Sequence, residues 1–133
     1  MKREIGVISI ILLLVVFFVT ASKVLQEDWP VPAKYKKMKN PNANTQDTEK
    51  IGKTLWIQHC KSCHGSKGLG DGKKAGTLDT DLSDFSSSDF KSQTDGEIYY
   101  KAIIGRDEMP NFEKKIPLAE DRWLLINYLH AFK

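Results

Sequence analysis

The chain has 133 residues, 20 basic and 17 acidic side chains, a formal net charge of +3 and two cysteines. Charges this close to balance argue against a nucleic-acid-binding surface. With the first 21 residues set aside, 112 remain, enough for one small domain and too few for two.

Met1-Lys2-Arg3-Glu4 is followed by an uncharged apolar run from Ile5 to Val19. A basic start before such a run predicts an export signal, which sends everything after it out of the cytoplasm. Val19-Thr20-Ala21 is a small-residue ending that permits cleavage before Ser22. Ile5 to Ala21 also reaches the short limit for a membrane-spanning helix, with Lys2 and Arg3 on the inner side. Residues 1–21 therefore read either as a signal peptide or as an N-terminal membrane anchor. Both readings place the remainder in the periplasm or on the outer face of the cytoplasmic membrane. No cysteine near the end of the apolar run would carry a lipid anchor.

Residues 22–46 contain Pro30, Pro32 and Pro41, with Asn40, Asn42 and Asn44 near the end. Prolines at this density oppose a continuous helix and predict an extended linker or strap. Trp29 and Tyr35 would let part of it pack on the domain. The alternative is a solvated leader whose Lys34, Lys36, Lys37 and Lys39 lie near anionic lipid headgroups.

The domain is predicted over residues 47–133. Its first helix runs roughly from Thr48 to His59, with Ile51, Leu55 and Trp56 on a helical spacing. It delivers Cys60-Lys61-Ser62-Cys63-His64, which contains both cysteines of the chain. Two thiols at this spacing can each meet a vinyl group of one haem, and the adjacent imidazole can then reach the iron. A disulfide would close only a tiny loop and leave His64 without a task. A zinc site needs about four ligands, and neither His59, His130 nor the scattered carboxylates complete a set. A thioredoxin-like dithiol would follow a strand, and none is visible.

Residues 65–93 are rich in Gly, Asp and Ser and read as loop, with a short helical turn around Ser87 to Phe90. A loop of this length in a small domain is expected to wrap something, and a haem edge is the obvious object. The second helix begins at Thr94, where Thr94-Asp-Gly-Glu97 is a capping box, and stops at Gly105. Met109 follows in Gly105-Arg-Asp-Glu-Met109-Pro110-Asn111-Phe112. The third helix starts near Pro117 and carries Trp123, Leu124, Ile126, Asn127, Leu129 and His130.

What fills the iron's other side decides the chemistry: an open position admits oxygen, nitric oxide or peroxide, whereas a protein ligand closes it. In the exported part only Met38 and Met109 are thioether donors. Met38 lies among lysines, so Met109, on a loop between two helices with Pro110 behind it, is the predicted sulfur ligand. His59 and His130 are the alternatives that would give a bis-histidine site. Tyr99 and Tyr100 are read either as hydrogen-bond donors to a propionate or as helix packing.

Taken together, these residues resemble a class I cytochrome c over residues 47–133. Gly52-Lys-Thr-Leu-Trp56 is similar to the glycine and aromatic by which that family's first helix crosses its last, with Trp123, Tyr128 and Leu129 as the opposing surface. Cys60-Lys-Ser-Cys63-His64-Gly65 matches the attachment motif and Met109-Pro110 the distal-ligand motif. Gly68-Leu-Gly-Asp-Gly72 resembles the turn after the haem site in small bacterial members, and Trp29-Pro-Val-Pro with Asn40-Pro41 resembles their leader. The resemblance implies an all-α fold in which N- and C-terminal helices cross around one covalent haem c, preceded by the hydrophobic export or anchor helix. It implies Cys60, Cys63, His64 and Met109 as cofactor-binding residues, with His64 and Met109 on the iron. In many members a proline carbonyl accepts the proximal histidine's other ring N–H. This chain has no proline between Cys60 and Met109, so the expected partner is a carbonyl near Ala75 to Asp79.

The function expected from these features is one-electron carriage in an exported respiratory chain, not catalysis. Membrane or soluble redox proteins would be the partners, by transient docking, with membrane attachment through residues 5–21 if that segment is retained. One alternative is a membrane-anchored subunit of a respiratory oxidoreductase complex. Another, of a different class, is a haem enzyme or gas sensor with an open or displaceable sixth ligand.

Overall fold

The computed structural model describes residues 29–132 apart from 44, 46 and 47. The export or anchor helix predicted over residues 5–21 lies outside them. Among the described residues no helix is long and apolar enough to cross a membrane. The chain divides after Pro30, and the unit from Val31 to Lys133 holds all that follows.

That unit is all-α among the described residues, the only ladder contact there being an isolated bridge between Arg106 and Met109. Helix α1 is one turn, Ala33–Lys36, entered from Pro32. Helix α2 is a continuous run over 48–64. It alternates π turns, Thr48–Gly52 and Trp56–Cys60, with α turns, Lys53–Leu55 and Lys61–His64. Trp56, Cys60 and His64 all face inward, so α2 continues past His59 and carries the whole motif on its last turns.

Helix α3, Ser88–Lys91, starts where Ser87 accepts from the Phe90 N–H at 3.2 Å. Helix α4 is Asp95–Tyr99 extended by a π turn, Tyr100–Ile104. The predicted capping box forms: Thr94 Oγ1 accepts from the Glu97 N–H, and the Glu97 carboxylate accepts from the Thr94 N–H at 2.9 Å. Helix α5, Ala119–His130, begins two residues beyond Pro117. Its four consecutive buried residues Trp123 to Ile126 show that it is covered on more than one side.

Gly52 sets how closely α2 and α5 approach. A Cβ there would stand 2.7 Å from the Tyr128 Cβ and against the Leu124 carbonyl, so only a bare α-carbon fits the crossing. One turn on, Trp56 packs on Phe132 at 4.8 Å and on Tyr128 at 6.4 Å between ring centroids. Trp123, expected at this crossing, lies elsewhere, its ring 4.5 Å from Tyr99 of α4. Tyr128 of α5 and Phe132 just beyond its end thus face α2, while Trp123 faces α4.

Part of the strap belongs to the folded unit. Val31 is buried, and the Tyr35 ring lies 4.7 Å from Tyr100. The Asn127 side chain of α5 accepts from Asn40 Nδ2 at 2.6 Å and donates to the Asn42 carbonyl at 2.7 Å. Asparagine amides here replace the backbone pairing that a proline-containing segment lacks.

Gly52→Val places a branched side chain into the α2–α5 contact and should cost about 2 kcal/mol as overpacking. Chemical denaturation of the matured protein measures this, and an unchanged midpoint would show that the helices do not meet there.

Candidate haem centre

A helix ends with four carbonyls that have no partner inside it. At the end of α2 all four find backbone donors in the next residues. Lys61 O accepts from Gly65 N at 3.0 Å, Ser62 O from Lys74 N at 2.8 Å, Cys63 O from Gly72 N at 3.0 Å and His64 O from Gly70 N at 3.0 Å. The loop must therefore fold back flat against the motif. A Cβ on Gly72 would fall onto the Cys63 carbonyl, which explains the glycine at that position. Farther along, Phe85 N donates to Gly68 O at 2.8 Å and brings the buried Phe85 and Phe90 rings together at 4.4 Å.

His64 is 8% exposed, with its ring 5.0 Å from Phe85 and 6.0 Å from Trp56. Burial pushes the imidazole down to about 4, so near neutral pH it is the uncharged form that can ligate a metal. Its Nδ1 is enclosed and makes no hydrogen bond. No carbonyl from Ala75 to Asp79 takes it: the segment forms a 3-10 turn, Ala75–Thr77, in which the Ala75 carbonyl accepts from the Leu78 N–H at 3.1 Å.

Cys60 is buried and Cys63 half-buried, and both are free thiols, so the disulfide reading is set aside. Burial, and then the neighbouring Cys63, push the Cys60 thiol up to about 12. Two free thiols beside an enclosed, neutral imidazole fit a haem c held by thioethers and one histidine.

Met109 is half-buried and packs against the apolar cluster that includes Cys60, Trp56 and Phe112. Its turn is closed by Met109 N donating to Arg106 O at 2.8 Å. Phe112 is buried below, its N–H donating to Ile103 O at 2.8 Å. Glu108 accepts from the backbone N–H groups of Asp79 and Thr80. The Thr80 hydroxyl, followed by the Asp79 amide, holds its carboxyl below the usual range.

The other expected residues lie outside this centre. His130 is exposed, with Nε2 2.8 Å from Asp95. The half-buried His59 ring lies 5.8 Å from Phe112. Tyr99 and Tyr100 are accounted for by ring packing on Trp123 and Tyr35.

Arg122 is a structural residue that the sequence reading passed over. Its guanidinium donates to the carbonyls of Ile116 at 2.6 Å, Glu113 at 2.9 Å and Pro117 at 3.1 Å, and lies 3.4 Å from the Tyr99 hydroxyl. It fastens the segment after Met109 to the start of α5. A cation in the first turn of a helix opposes the macrodipole, and that misplacement was the available signal of outside partners.

A family model described as cytochrome C oxidase, cbb3-type, subunit III matches residues 47–129. That span is more than half of the chain and contains Cys60, Cys63, His64 and Met109. None of the curated proteins compared with the chain matches it.

Arg122→Ala leaves three carbonyls without their donor and should destabilise the protein by about 2 kcal/mol. Arg122→Lys should recover only part of this, since an ammonium lacks the planar fork. Thermal unfolding of the three proteins checks the order, and equal midpoints would show that the clamp does not hold the segment.

Proposed function

We propose that this chain, which belongs to the cbb3-type cytochrome c oxidase subunit III family, is the electron-entry subunit of a membrane-bound respiratory oxidase. It is a class I monohaem cytochrome that carries one electron at a time, is periplasmic or membrane-associated, and is not itself an enzyme. The observation that carries the reading is the family match across a span holding the whole attachment motif and Met109.

Bound haem c supplies a one-electron Fe(III)/Fe(II) couple. Cys60 and Cys63 hold the group by thioethers. Donors come from two elements, a neutral imidazole nitrogen from His64 at the end of α2 and a thioether sulfur from Met109 on the turn after α4. A soft sulfur donor and an apolar surround favour the reduced metal and raise the potential. Trp56, Phe85 and Phe112 exclude water, so little solvent has to reorganise when the charge changes.

Residues 1–21 serve in this reading as a retained anchor, residues 22–46 as the strap, and residues 47–133 as the electron-carrying domain. Tethering keeps the domain at high local concentration near its acceptor, so its contacts can be brief. The donor is a membrane or soluble redox protein that docks transiently. With 13 basic and 14 acidic groups in the domain, that docking should depend only modestly on salt.

Two measurements test the reading. Met109→Ala should retain covalent haem but lose the methionine-to-iron absorption band and admit carbon monoxide; unchanged ligation would remove Met109 from the iron. Capturing the tagged chain from detergent-solubilised membranes should recover oxygen-consuming oxidase activity with it. Recovery only from the soluble fraction, without that activity, would favour a free shuttle.

A further inference from the structure

The turn that presents Met109 is closed locally, by the bridge between Arg106 and Met109 in which Met109 N donates to Arg106 O at 2.8 Å. Its tip, with Asp107, Glu108 and Pro110, is exposed. Asp107 sits in the left-handed region at φ 49°, which aspartate tolerates without preferring it. Such a turn needs a second point of attachment if it is to hold one side chain at one place.

Glu108 provides that attachment. Its Oε1 accepts from the Asp79 N–H at 3.2 Å and its Oε2 from the Thr80 N–H at 3.0 Å. Both oxygens of one carboxylate meet two consecutive amides, so orientation is fixed as well as distance. The far end of this bond matters too. Residues 79–80 follow the 3-10 turn Ala75–Thr77, whose Thr77 N–H and hydroxyl both bond the Lys74 carbonyl, while the Lys74 N–H donates to Ser62 O inside the haem motif. The loop hung from the His64 turn is thus the same loop that the residue before Met109 grips.

The geometry points to Glu108 as a positioning residue for Met109: its carboxylate clamps the methionine turn to the loop that closes the haem motif. The clamp keeps the sulfur in place against competing external ligands without touching the iron. This rests on Met109 being the sulfur ligand. The physical basis is effective concentration, because a donor on a pinned turn competes with a diffusing ligand far better than one on a loose loop.

The test uses the full chain, matured with haem and kept in detergent, as Glu108→Ala, Glu108→Gln, Asp81→Asn and Met109→Ala. Carbon monoxide affinity of the reduced protein and the methionine-to-iron band of the oxidised protein are read together. Glu108→Ala removes two charge-assisted bonds at an exposed site and should raise carbon monoxide affinity about tenfold while weakening the band. Glu108→Gln keeps one carbonyl acceptor and should fall between this variant and the native protein. It also keeps the test available if the alanine variant does not fold. Asp81→Asn removes a charge from the same loop and should behave as native. The proposal is overturned if Glu108→Ala and Glu108→Gln both match native while Met109→Ala opens the iron. It is also overturned if Asp81→Asn reproduces the Glu108→Ala effect, since charge rather than the clamp would then be responsible. If Met109→Ala itself changes neither readout, the ligand reading fails first and the clamp has nothing to position.

Discussion

The carbonyls of Lys61, Ser62, Cys63 and His64 must find donors at a place where the helix can no longer supply them. Each left unpaired in a buried setting would cost about 1–3 kcal/mol, and the loop from Gly65 to Lys74 satisfies all four with its own amides. That single requirement explains why glycine recurs just after the motif and why the loop lies flat against it. It also leaves the Cys60, Cys63 and His64 side chains on a turn whose backbone has no freedom left. A cofactor bonded to these three side chains would be held by the fold as well as by its own covalent links.

The rest of the molecule faces this turn from the other side. The α2–α5 crossing at Gly52 brings Tyr128 and Phe132 onto Trp56, and Trp56 with Phe85 encloses the His64 ring. Met109 reaches the same cluster from a turn held by local backbone pairing, by Phe112 below and by the Arg122 clamp beyond. An electron carrier gains from this economy, because ligands that do not move between oxidation states keep the reorganisation small. Burial of His64 serves the same end by keeping the imidazole uncharged and available as a donor.

The features legible in the sequence were the local ones. Thr94 and Glu97 announce a helix start because the capping box closes within four residues, and the motif announces its chemistry because three reactive side chains lie within five. The crossing at Gly52 was readable through the family resemblance, and the close approach of α5 there bears it out. Contacts set by distant chain return were not readable. Trp123 was placed at the crossing by resemblance, and its ring packs on Tyr99 of α4, a neighbour that an apolar stripe alone does not specify. The expected carbonyl for His64 was placed by resemblance, and no carbonyl of this loop meets the ring nitrogen. Arg122 and Glu108 bond mainly to backbone, and backbone partners leave no mark in the sequence.

The central claim is that one covalent haem c at Cys60 and Cys63 serves a membrane-bound oxidase from an anchored chain. The intact mass of the protein isolated from its own respiratory membranes tests both halves at once. The result should be the chain with residues 1–21 retained plus one haem that denaturation does not release. A mass without haem would contradict the site, and a haem-bearing chain cut before Ser22 would contradict the anchor.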